Sequence, residues 1–147
     1  MENNLDKTRA QQLEVLLATI YSLLLKTQNY HWNVKGSSFY SLHLLFEKHY
    51  NELAVEVDSV AEVISALGHL VPASFAEYSA ISLIKDSNKN VIKFTDMLSN
   101  LVKDHRLLIS HIEELLPKFN GLDSVTNLLS GIVEKHTTMA WMLNSSL

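Results

Sequence analysis

The sequence predicts an all-α protein: four long helices with a short extra helix in the crossover between the second and third. Three observations predict it. Apolar residues recur at helical spacing through most of the chain. Helix breakers are scarce, with 4 Gly and 2 Pro in 147 residues, which favours long helices. No segment alternates convincingly with period two, so nothing reads as a strand.

The elements follow in order. The first helix is expected from about Asp6 to Asn33, with Leu13, Leu16, Leu17, Ile20 and Leu24 on one face. It stops near Gly36, and Ser37 or Ser38 is placed to cap the second helix. That helix runs to about Leu67, before Gly68. Its seam, Phe46, Tyr50, Leu53, Val57, Val60 and Ile64, steps 4-3-4-3-4, the spacing of nearly aligned helix packing. The stretch from His69 to Lys89 contains Pro72 and is long for a plain loop, so a short helix is placed near Ser74 to Ile84. A third helix is expected from roughly Asn90 to Leu116, ended by Pro117. Asp123 or Ser124 then opens a fourth, running to about Leu143. Four long helices with a single crossover describe a ferritin-like bundle.

Composition bounds the function. Residues 1–147 suit one domain with a proper core. The absence of cysteine excludes disulfides, thiolate metal sites and cysteine nucleophiles. Met1 to Gln12 is polar, and no 18-residue apolar run occurs, so the expectation is a cytoplasmic protein without a membrane span. A net charge of −4, from 12 basic and 16 acidic residues, argues against a nucleic-acid surface. Seven histidines in a chain of this length invite a search for metal.

The second helix carries His43, Glu47, Asp58 and Glu62, two pairs spaced i, i+4 on one face. At about 100° per residue with Phe46 at zero, they lie near 60°, 100°, 120° and 160°. They form one polar stripe beside the seam, interspersed with the short residues Asn51, Ala54, Ala61 and Ser65. The other charges, Lys48, Glu52 and Glu56, fall on the far side. Glu47 and Asp58 are separated by about 16 Å of helix, more than one ion can bridge with ligand bonds of about 2 Å. Two such helices packed antiparallel about a twofold axis near residues 52 and 53 resolve this. The His43–Glu47 pair of one copy then faces the Asp58–Glu62 pair of the other, twice over. His31, about as far from the middle of the turn at Val34–Ser38 as His43, can supply a further ligand. Two histidines with carboxylates form a non-haem ferrous pattern, although zinc or another divalent metal would bind such a set too.

Each member has a plainer explanation. An i, i+4 carboxylate pair is usually a solvated face, and a lone half-buried histidine is usually a hydrogen-bonded packing residue. His49, His69, His105, His111 and His136 are read in that way, and Met139, Trp141 and Met142 as packing residues. Glu52, Glu56 and His49 are candidates for facing a cavity, with a solvated face the favoured alternative. The metal reading rests on the combination.

The run His31-Trp32-Asn33-Val34-Lys35-Gly36, with His43 and then Asp58-Ser59-Val60-Ala61-Glu62, resembles the signature of the Dps family. These are miniferritins named as DNA-binding proteins from starved cells. The likeness continues through Ala66-Leu67-Gly68 to the ending Met139-Ala140-Trp141-Met142-Leu143. It implies a dodecameric shell with ferroxidase sites at dimer interfaces. His31, His43 and Glu47 would come from one subunit, and Asp58 and Glu62 from its twofold mate. It also implies Fe(II) oxidation with hydrogen peroxide, storage of ferric mineral, and protection of DNA and cell. Trp32 resembles the family's aromatic residue that intercepts stray oxidising equivalents.

Two departures stand out. Position 47 is more often Asp in the family, and Glu reaches one methylene further. The first twelve residues offer only Lys7 and Arg9 in place of a Lys-rich tail, so tight DNA binding is not expected. The alternative function is a nucleoid-associated, DNA-condensing protein with minor ferroxidase activity. Asp123, near the start of the last helix, is a candidate for the family's acidic pore, or else an N-cap. An ordinary ferritin with metal inside each bundle is disfavoured, since no Glu-x-x-His pair occurs.

Overall fold

The computed structural model describes residues 4–86 and 93–147. Among these, α1 spans Asn4–Asn33, α2 Phe39–Ala66, α3 Phe75–Ile81, α4 Phe94–Leu115 and α5 Asp123–Ser145, with a 3-10 turn at Leu116–Phe119. No strand occurs among the described residues. α1 packs on α2 and α4 on α5; α1 meets α4 and α2 meets α5, which closes the four-helix bundle, and the short α3 lies against α1. The expected crossover helix is therefore present, between α2 and α4.

The core is the expected seam and its counterparts. Leu13, Leu16, Leu17 and Ile20 of α1 meet Phe46, Leu53, Val60 and Ile64 of α2, Leu98, Leu101 and Leu108 of α4, and Leu129 and Leu143 of α5, all buried. Removing these side chains from water is the main force holding the helices together.

Several boundaries differ from expectation, each for a local reason. Ser38 occupies the N-cap of α2, but its side chain makes no capping bond; its carbonyl instead accepts from Leu42 N–H at 3.0 Å. α3 is shorter than expected. It starts where the Ser74 hydroxyl accepts from Glu77 N–H, a side-chain N-cap, and donates to the Glu77 carboxylate at 2.6 Å, and it ends because Ser82 turns extended. α4 begins at Phe94; the expected start at Asn90 lies outside the described residues. Pro117 sits inside the 3-10 turn that follows α4, since its missing N–H cannot continue an α-helical ladder. Leu122, not Asp123, is the cap residue of α5. Asp123 is its first helical residue, where a carboxylate complements the helix dipole. Trp141, expected to pack, is 65% exposed, whereas Met139 is buried.

Candidate metal centre

The turn between α1 and α2 brings His31 and His43 together. Gly36 adopts φ +107°, a conformation glycine enters without a Cβ penalty, and it lets α2 return along α1. His31 Nδ1–H then donates to the His43 carbonyl at 2.7 Å, and His43 Nδ1–H donates to the His31 carbonyl at 2.8 Å. A carbonyl only accepts, so each Nδ1 carries the proton and each Nε2 presents a lone pair. A partner that fixes the ring and leaves the other nitrogen basic is what a metal-binding imidazole needs. The rings stack with centroids 3.8 Å apart and planes 14° apart.

The carboxylates are arranged less completely. Glu47 is half-buried one turn beyond His43, while Asp58 and Glu62 are exposed further along α2. The interspersed Asn51, Ala54 and Ser65 are exposed as well, with Ala61 partly so. Trp32, beside His31, is 64% exposed. Among the described residues no three His, Asp or Glu side chains are gathered to hold a metal. A single chain thus brings together His31 and His43 and leaves Asp58 and Glu62 apart.

A second polar cluster lies inside the bundle. His49 and Glu56 of α2, His105 of α4 and His136 of α5 are each no more than 1% exposed. His136 Nε2–H donates to Glu56 Oε2 at 2.7 Å, and the Nδ1 atoms of His105 and His136 are hydrogen-bonded to each other at 2.8 Å. Burial pushes His105 well below the usual histidine range, reinforced by His136 and His49. Burial, then Lys48 and His136, lowers His49 to about 4. His136 thus links the His105 ring to the Glu56 carboxylate through its two ring nitrogens. Among the described residues, His105 Nε2, Glu56 Oε1 and both His49 nitrogens find no hydrogen-bond partner.

This cluster corrects the expectation that Glu56 lies on a solvated or cavity-facing surface, and of the two readings of His49 the packing residue holds and the cavity-facing one does not. α2 contacts both α1 and α5, so its buried arc is wider than the single seam and takes in the flank that carries His49 and Glu56. His105 and His136 are buried hydrogen-bonded residues, as read. His105, His136 and Glu56 form a linear chain rather than a convergent set. The signal that marks them is a histidine or glutamate at helical spacing from core positions on three helices.

Comparison with known proteins agrees with the fold and motif. The ferritin-like domain family matches residues 10–147. A low temperature-induced protein of Nostoc is 37% identical over 133 residues, covering 88% of this chain and 74% of the relative. DNA protection during starvation protein 2 of Bacillus anthracis is 32% identical over 142 residues, covering 93% of this chain and 97% of the relative. A crystal structure of a Vibrio cholerae Dps protein superposes with a TM-score of 0.92 at 27% identity, covering 99% of this chain and 96% of that one. With its crossover helix, its paired histidines and these relatives, the chain belongs to the Dps family of miniferritins, within the ferritin-like proteins.

Proposed function

We propose that two copies of this chain pack α2 against α2 about a twofold axis and oxidise ferrous iron at the two equal sites so formed. His31, His43 and Glu47 of one copy face Asp58 and Glu62 of the other. Twelve copies close into a shell that stores the ferric product and so protects DNA and cell from iron-driven oxidation. The observation that carries this reading is the reciprocal His31–His43 pair, whose two Nε2 lone pairs are fixed before any metal arrives. The exposed Asp58 and Glu62, and the lack of a complete ligand set in one chain among the described residues, fit sites shared between copies. Membership in the family points to iron: the Vibrio cholerae relative is described as belonging to the ferritin-like diiron-carboxylate proteins.

The geometry also fits two ions per site. Imidazoles that share one ion splay apart from it, and rings stacked at 3.8 Å are too close for that at ligand bonds of about 2.0–2.1 Å. Each histidine therefore serves its own ion, with carboxylates supplying the remaining ligands and compensating charge. Two ferrous ions deliver two electrons, which with two protons reduce one hydrogen peroxide to two waters. Trp32, which follows His31 in the chain, gives up an electron when only one ferrous ion is present. Zinc and other divalent metals compete for the same ligands.

Anaerobic Fe(II) titration followed by a peroxide pulse tests the reading. Fast ferric absorbance in the wild type, reduced at least tenfold in both His43→Ala and Asp58→Ala with unchanged helical content, is expected. Wild-type oxidation no faster than buffer would refute it.

A further inference from the structure

The histidine pair stands inside a longer column of rings. Phe39, the first residue of α2, stacks on His43 with centroids 5.0 Å apart and planes 28° apart. His43 stacks on His31, and Tyr50 meets His31 edge-on at 5.2 Å and 75°. The two imidazoles are thus held between a phenyl face and a phenol edge. The Nδ1 bonds fix the tautomer and anchor one atom of each ring, but a ring can still pivot about that anchor. Contact on the outer side of each imidazole removes that freedom.

Phe39 is 42% exposed, so it contributes less to the core than a buried ring would. Its principal ring contact is with His43. Once His43 Nε2 binds a dication, the imidazole gains positive character toward the Phe39 face, which an aromatic ring favours and an aliphatic one does not.

We infer that Phe39, with Tyr50 on the opposite side, is a positioning residue that locks the His31–His43 pair for metal. The metal half of this inference rests on the ferroxidase reading; the positioning half does not. Four proteins test both halves: wild type, Phe39→Leu, Phe39→Tyr and His43→Ala. Nitrogen-15 histidine spectra are recorded on each metal-free protein, followed by titration with Co(II) alone.

Wild type and Phe39→Tyr are expected to show a single Nδ1–H tautomer at both histidines. Phe39→Leu is expected to show averaged ring signals and Co(II) binding roughly tenfold weaker, at the low end of the effect of losing an outer-shell partner, with unchanged helical content. Phe39→Leu with wild-type ring signals and wild-type Co(II) affinity would overturn the inference, as would failure of Phe39→Tyr to behave as wild type. Undiminished Co(II) binding in His43→Ala would overturn the ferroxidase reading instead, while the metal-free spectra still decide the positioning claim.

Discussion

Each imidazole at the α1–α2 turn gives its Nδ1 proton to the backbone of the other, and this ties ligand chemistry to turn geometry. Gly36 at φ +107° is the joint. Gly36→Ala meets no steric obstacle but forces a side chain into a strained backbone region, at a cost of about 1–3 kcal/mol. A lowered denaturation midpoint together with weaker metal binding is expected, and an unchanged midpoint would contradict this account of the turn. The buried cluster makes a separate prediction. Glu56→Ala leaves His136 Nε2–H buried without its acceptor, which costs about 1–3 kcal/mol in chemical denaturation. Burial holds His105 well below the ordinary histidine value of 6.5, so as pH falls below that value the unfolded chain takes up a proton that the folded chain refuses. Stability contributed by the neutral form is full above 6.5 and falls with decreasing pH, by up to about 1.4 kcal/mol per unit for this group. Denaturation midpoints between pH 7 and 5 measure it, and His105→Leu should flatten the slope. His31 and His43 were legible in the sequence because a turn midway between them must bring them together. Their reciprocal carbonyl bonds were not, because spacing does not reveal where a ring nitrogen points.

At the scale of elements, periodicity sufficed for the four long helices, since each buries one continuous apolar face. Ends were harder. α3 is set by one N-cap, the Ser74 hydroxyl with Glu77, and Ser74→Ala should remove about 1 kcal/mol, seen as faster amide exchange confined to α3. Equal exchange in the variant would mean that packing on α1 alone holds the helix. The interior cluster is not legible in periodicity, because the 4-3-4-3-4 seam marks a single buried face of α2, whereas contact with two neighbouring helices widens its buried arc to include His49 and Glu56. The same helix keeps Asp58 and Glu62 exposed on its other flank. α2 therefore carries two polar stripes, one turned into the bundle and one turned out.

For the whole molecule, the outward stripe is the consequential one: in the proposed pairing, a chain with two histidines at the α1–α2 turn and two exposed carboxylates further along α2 supplies half of each of two sites. The net charge of −4 gives no electrostatic footing on polyanionic DNA. No gel shift is expected at ~150 mM salt, and a clear shift would favour a nucleoid-packing role. No described helix is long and apolar enough to cross a membrane. The central claim is that catalysis belongs to a pair of chains, and mixing variants tests it most directly. His43→Ala and Asp58→Ala proteins, each expected to be strongly impaired alone, are unfolded, mixed and refolded together, then loaded with Fe(II) and pulsed with peroxide. A mixed dimer has one site carrying both lesions and one carrying neither, so ferric absorbance should recover to a substantial fraction of the wild-type rate. Mixed protein as inactive as its components, despite verified subunit exchange, would contradict a site shared across the twofold axis.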